Sequence, residues 1–327
     1  MSAVVRTSTN TRAGGGVSVG GGVGFGPAWL SVASWHRPGS ATRARAGWPR
    51  ALASLAMAEQ GYDGAGLADL RVERRDSGVV TLTLALPDRR NMMSAAMTAS
   101  WGEAMAGLRA DPSVRAVVVT GEGSAFCSGG DVSWIGDTPD ATVNELRERM
   151  LPFYRTWLAV RELEVVTIAA INGAAIGAGL ALALACDLRY AAQEAKLAVP
   201  FTALGMHAGM ATTYLLPEVA GLAVAREMLL TGRVVTGAEA VGLGLVNGAV
   251  PREDVLQTAL KAAEAVASAA PVATRLTKVA LLSGGHASFD AALQWEALAQ
   301  PITLATADLQ EGLAAQRERR PARFTGR

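Results

Sequence analysis

The stretch IAAINGAAIGAGLALALACDLRY, residues 168–190, decides the fold. It holds an apolar run, a turn, a cluster of small residues, a second apolar run, and then the polar pair Asp187 and Arg189. Residues 165–171 group β-branched side chains in a short run bounded by turn signals, which predicts a buried strand. Asn172 and Gly173 turn the chain. Gly177, Ala178 and Gly179 then open a helix whose first residues carry almost no side chain, so amides without intrahelical partners lie open to a ligand. The positive end of the helix dipole adds to them. Such a site suits an oxygen that gains negative charge during a reaction.

The chain has 327 residues, half of them apolar, which supplies a substantial core. A net charge of +1 with no dominant basic block gives no electrostatic case for nucleic acid or an anionic membrane surface. No apolar run approaches the roughly 20 residues that span a bilayer. The two cysteines, Cys127 and Cys186, sit among small apolar residues and are expected as reduced thiols in a cytoplasmic protein. Residues 1–65 differ from the rest: they are Gly- and Arg-rich and contain no Asp or Glu before Glu59. They are expected to be a disordered, low-complexity N-terminal extension, because so little apolar surface cannot offset the ordering entropy. An Arg-rich, acid-free leader also matches an organelle transit peptide in composition.

From residue 69 the pattern is regular. Residues 70–75 and 79–86 alternate like a hairpin around Asp76, Ser77 and Gly78, and Pro87 ends the second strand. After the loop DRRN (88–91), Ser94 caps a helix to about residue 109. Residues 114–120 form a buried strand, and GEGSAFCSGGD (121–131) a loop that closes on Ser128, Gly129 and Gly130. A helix over 143–160 leads to the strand and glycine turn of the opening stretch. Short strands follow at 187–191 and 196–199, then an irregular loop at 200–210 with one histidine, His207. Helices are expected at 211–216, 223–230, 237–243, 254–269, 272–282 and 289–317, the last with a break near Pro301. Strands and helices alternate early and helices accumulate late, which argues for an α/β core over 66–250 and a helical C-terminal region over 251–327.

In this order the segments LPDRRN (86–91), VRAVVVTGEGSAFCSGGD (114–131), AAINGAAIGAGLALALACDLRYAA (169–192), LLTGRVVTGAEAVGLGLVN (229–247) and the tail RPARFTGR resemble the crotonase superfamily, the enoyl-CoA hydratase/isomerase family. The similarity covers essentially the whole regular part, and several linked motifs in order are far more specific than one glycine cluster. The resemblance implies an α/β crotonase (ClpP-like) spiral of ββα units with a helical C-terminal trimerisation region, and a homotrimer or dimer of trimers. It implies an acyl-CoA thioester as substrate, with coenzyme A as part of that substrate and no separate cofactor. It also implies that two backbone N–H groups hold the thioester oxygen; on this sequence they are those of Gly130 and Ala178. Losing one such donor typically costs about 2.7 to 4 kcal/mol of transition-state stabilisation. Ser128, Gly129 and Gly177 let the backbone approach the thioester, and Arg89 or Arg90 would lie near the CoA nucleotide. A solvated charged turn is the competing reading of both arginines.

The sequence departs from the family where proton transfer is done. The two glutamates that flank the thioester in family hydratases fall on Ala181 and Phe201, and the aspartate of some relatives falls on Gly209. None of these transfers a proton, so hydration by two glutamates is not supported. Ala181 and Phe201 are expected to line the acyl site instead. The remaining titratable candidate is His207, since an imidazole suits acid/base work near neutrality; a structural bond to a backbone carbonyl is the competing reading. Asp131 could orient water or cap the next turn. The loop at 134–140 and the helix after it are expected to wall the acyl pocket in part, Asp137 and Asp140 read as solvated charges, and Asp187 and Arg189 as a structural polar link.

Other signals fail. Gly177-Ala178-Gly179 lacks the third glycine and the downstream acid of a dinucleotide fingerprint. Cys127 has no patterned base and reads as a small buried apolar residue. His36 and His286 have no metal-ligand spacing around them. Two function classes remain: an enzyme that stabilises a thioester enolate, of lyase or isomerase type, and a non-catalytic acyl-CoA-binding protein.

Overall fold

The computed structural model describes residues 62–131, 133, 139–282 and 288–327. Residues 1–61 of the expected extension, His36, Asp137, His286 and most of the loop at 134–140 lie outside them. Strands β1 (Leu70–Arg74) and β2 (Val79–Leu84) pair antiparallel, as the hairpin pattern predicts. β2 is buried along its whole length rather than alternating, because a helix layer covers its other face. Helix α1 (Ala95–Ala110) follows, its first turn closed by Ser94, whose hydroxyl accepts from Met97 N.

The chain then winds in repeated turns, each leaving one strand in each of two sheets. β3 (Ala116–Gly121) is followed by β4 (Ala125–Cys127), β5 (Val166–Ile171) by β6 (Ala174–Ile176), and β7 (Leu188–Ala192) by β8 (Lys196–Ala198). The first members stack in parallel as β3–β5–β7 in a six-stranded sheet, and the second members as β4–β6–β8 in a four-stranded sheet. Helix α2 (Val143–Leu158) connects β4 to β5, and helix α3 (Ala178–Ala185) connects β6 to β7.

Two asparagine side chains clip the corners between the sheets. Asn172 Oδ1 accepts from Gly121 N and its amide donates to Gly123 O, both at 3.1 Å. The fully buried Asn91 accepts from Leu86 N and donates to Glu122 O and Ala125 O at 2.8 to 2.9 Å. Buried loop carbonyls need such partners, and these two residues supply them.

Helix α4 (Thr212–Thr231) merges the two helices expected at 211–216 and 223–230, with a kink at Gly221. The two-residue β9 (Val235–Thr236) leads into α5 (Gly237–Gly242), and β10 (Gly248–Val250) closes the large sheet beside β7. Helix α6 (Val255–Ala267) buries Val255, Ala259, Leu260, Ala263 and Ala267 on one face against β3 and β5. This helix, which opens the C-terminal region, therefore packs on the core sheet. Helices α7 (Pro271–Leu282), α8 (Phe289–Leu304) and α9 (Ala307–Glu318) complete the chain. The break expected near Pro301 falls instead at residues 305–306, where Thr306 turns extended ahead of α9. No single helix among the described residues is long and apolar enough to cross a membrane.

Tyr62 is buried, its ring filling the space over Gly107, and its amide donates to Asp111 Oδ2 at 2.9 Å. Burial alone would raise the Asp111 pKa, but bonds from the Ser113 hydroxyl, the Tyr62 and Ser113 amides and Arg74 lower it to about 2. A carboxylate depressed on folding contributes stability above its unfolded pKa and loses it as pH falls through the folded value. Asp111→Asn should therefore be less stable than the wild type at neutral pH by on the order of 2 kcal/mol. The gap should close between about pH 4 and pH 2 in urea titrations, and a gap that does not change with pH would refute the assignment.

Candidate functional site

β4 and β6 are parallel neighbours, with Cys127 opposite Ala175, so both carboxyl ends lie at one edge of the small sheet. Ligands of α/β folds gather at such edges. The two glycine turns begin here. After β4, Ser128 N donates to Arg90 O at 3.0 Å and Met93 N donates to Gly129 O at 2.8 Å, which straps the turn to the loop at 88–93. Gly129 has φ 103°, a conformation in which a side chain is strained, and a Cβ there would stand 2.8 Å from Ile176 O and 3.5 Å from Ala178 N. After β6, Gly177 caps α3 with φ 56° and ψ −117°, and its amide donates to Ala198 O at 2.8 Å. Gly179 lies against the end of β4, where a Cβ would stand 2.1 Å from Cys127 O. The glycines thus let two backbones meet. Ala178, as the first residue of α3, has an amide with no partner inside the helix.

A cavity of about 460 Å³ opens over this junction. It gathers seven of the residues singled out in the sequence: Ser128, Gly129, Gly130, Gly177, Ala178, Phe201 and His207. The Phe201 ring faces Gly177, 3.7 Å from where a Cβ would stand. His207 is exposed at the wall with Nδ1 2.7 Å from Ala208 O. A carbonyl only accepts, so Nδ1 donates this bond and Nε2 is the ring nitrogen left without it. The structural bond considered for His207 is therefore present, and it leaves one nitrogen for other work.

Four expected site residues stand outside the cavity. Ala181 is fully buried within α3, and its single methyl group is too short to reach the wall. Arg89 is more than half exposed and reaches Asp131 at 3.5 Å, while Arg90 is exposed at φ 53°. Asp131 caps a turn, accepting from Ser133 N at 3.0 Å and Ser133 Oγ at 2.6 Å, and these bonds hold its pKa below the usual carboxylate range. The two arginines remain beside the site because Ser128 is hydrogen-bonded to that loop's backbone.

The helix after the loop at 134–140, expected to form part of the pocket wall, supplies one wall of the cavity, through residues the sequence reading did not name. Met150, Phe153 and Tyr154 of α2 line the cavity, and Trp157 continues their face into the core. Their i, i+3, i+4, i+7 spacing was the available signal. The capping box of Thr142 and Glu145 marked where the helix starts. Burial raises the Tyr154 pKa. Cys127 is fully buried and burial pushes its thiol up to about 12, which suits a packing role rather than a nucleophile.

A larger cavity, about 580 Å³, lies at the other end of α3, lined by Cys186, Asp187, Arg189 and Lys278 among others. Its polar groups are already committed. Lys278 pairs with Asp187 at 2.8 Å and donates to Val165 O, and Arg189 donates to Cys186 O and Leu245 O. Asp187 and Arg189 thus tie the fold through separate partners rather than to each other.

The family described as Enoyl-CoA hydratase/isomerase matches residues 74–327. A Bos taurus protein named enoyl-CoA hydratase domain-containing protein 2, mitochondrial, is 35% identical over 256 residues, 77% of this chain and 86% of the relative. The (E)-benzylidenesuccinyl-CoA hydratase of Thauera aromatica is 35% identical over 252 residues, 76% of this chain and 96% of the relative. A crystal structure of an enoyl-CoA hydratase from Bacillus anthracis aligns with a TM-score of 0.75 at 32% identity, covering 80% of this chain and all of that one.

Proposed function

The chain belongs to the enoyl-CoA hydratase/isomerase family and has the crotonase fold, and from that premise we propose that the 460 Å³ cavity binds an acyl-CoA thioester. The amides of Gly130 and Ala178 donate to the thioester oxygen and stabilise the enolate that forms on it. One observation carries this reading: the Gly129–Gly130 backbone packs against the first turn of α3 inside an apolar cavity. Two donors aimed at one oxygen in such surroundings stabilise developing charge without reorganisation. Ser128, Gly129 and Gly177 shape the oxygen site, Phe201 packs beside it, and Arg89 and Arg90 meet the CoA phosphates at its rim.

His207 is the proposed acid/base group, acting through Nε2. The test is a panel of saturated, enoyl, β-hydroxy and malonyl-type CoA esters, with binding and product followed by mass spectrometry. Turnover of one ester that His207→Ala abolishes supports the enzyme. A specific observation favours a second reading: no carboxylate lines the cavity among the described residues. If every ester in the panel binds without turnover and His207→Ala binds as well, the protein is an acyl-CoA binder. Failure of every CoA ester to bind would refute both.

We also propose a homotrimer, or a dimer of trimers. Leu281, Phe289, Leu298 and Leu304 on α7 and α8 are exposed, and a second copy would cover them. Light scattering on the purified chain reads this directly, and a monomer overturns it. A cytoplasmic location completes the proposal, consistent with two buried free thiols, and cell fractionation tests it.

A further inference from the structure

The Tyr154 phenol stands in the cavity wall with its strongest hydrogen-bonding capacity unspent. Among the described residues its hydroxyl has one hydrogen-bond partner, Met150 Sδ at 3.1 Å, and a thioether is a weak acceptor. A phenol half-buried in an apolar wall can offer its proton to a better acceptor on a ligand. The hydroxyl is also held in place: it lies against the backbone of Gly209, where a Cβ would stand 2.6 Å from it. Any side chain at residue 209 would displace the phenol or fill the space it occupies. Burial raises its pKa, so near neutral pH it is a neutral donor.

The neighbouring ring shows which part of a ligand the phenol meets. Phe153, not Tyr154, is the ring beside the Gly130 turn, its Cζ 3.8 Å from where a Gly130 Cβ would lie. The two ring centroids are 6.2 Å apart, and the phenol hydroxyl lies against Gly209 rather than against the Gly130 turn. Around it the wall is Met150, Leu204, Met206 and Met210, which adapts to shape and offers no cation. No Lys or Arg lines the cavity among the described residues, so an acyl chain ending in a carboxylate would be buried without a counter-charge.

We propose that Tyr154 is the specificity-determining residue of this site, donating a hydrogen bond to an uncharged oxygen on the acyl chain beyond its β-carbon. The favoured ligands are hydroxy- or oxo-acyl-CoA esters rather than plain alkyl or dicarboxylic ones. This rests on the acyl-CoA reading of the cavity. Tyr154→Phe removes the donor and keeps the ring. Calorimetry would compare hexanoyl-CoA with its 4-, 5- and 6-hydroxy and 5-oxo derivatives on both proteins. The wild type should bind at least one oxygenated ester roughly tenfold more tightly than hexanoyl-CoA, and the variant should bind oxygenated and plain esters alike. A wild type without preference, or a variant that weakens all esters equally or none, overturns the role of Tyr154 and leaves the acyl-CoA reading standing. Failure of every ester to bind the wild type overturns both.

Discussion

Ala178→Pro should fold like the wild type and lose on the order of 10²- to 10³-fold in turnover of whichever CoA ester the wild type converts, the range for deleting one oxyanion donor. The substitution replaces the amide N–H by the N–CH2 of the proline ring, which removes the donor and puts a methylene where the hydrogen pointed. Ala178 is the first residue of α3, where proline is favoured because its fixed φ suits the helix and its missing N–H has no helical partner to lose. Proline also restricts the residue before it to extended conformations. Gly177, at φ 56° and ψ −117°, occupies the mirror image of that region, which an achiral residue adopts without strain. Unchanged circular dichroism and melting temperature with unchanged turnover would remove Ala178 from the chemistry. For a protein that only binds, the same variant should weaken thioester affinity and leave that for free coenzyme A alone.

The second large effect is on stability, and it reaches the site through α2. Trp157 is the one buried residue of that helix. It stacks on Trp101 with centroids 4.9 Å apart, touches Phe153 at 6.5 Å, and donates from Nε1 to Thr98 Oγ1 at 3.0 Å. Trp157→Ala should cost about 3 to 5 kcal/mol, because the stacked partner Trp101 is itself fully buried and cannot relax into the space. Met150, Phe153 and Tyr154 hang on the same helix, so ligand affinity should fall with stability. Trp157→Phe should retain most of both. Denaturant titrations would read the effect, and a loss below about 1 kcal/mol would mean that other contacts hold the helix.

The elements read from sequence are those with a long local pattern. The hairpin of β1 and β2, the cap at Ser94, the strand at 166–171 and the glycine start of α3 all rest on residues close in the chain. β4, β6, β9 and β10 left no signal, since two or three small residues have no periodicity; they are strands only because the neighbouring turn of the spiral supplies their partners. Asn91 was read as one of a charged loop's residues, yet its side chain closes the corner on carbonyls more than thirty positions away. The pairing of Arg89 with Asp131 at the rim joins residues 42 positions apart, which no local pattern marks.

The sequence by itself determined the family and the two glycine turns, because these are identities at positions, and an alanine at residue 181 has no proton to move in any fold. Tertiary structure alone decided that the turns meet, that Ala181 is sealed in the core while Phe201 and His207 face the cavity, and that Tyr154 stands in its wall. Those outcomes depend on parallel strands bringing two carboxyl ends to one edge and on Trp157 setting the face of α2. Neither is a property of any short stretch of chain, since each is a contact between residues far apart in sequence.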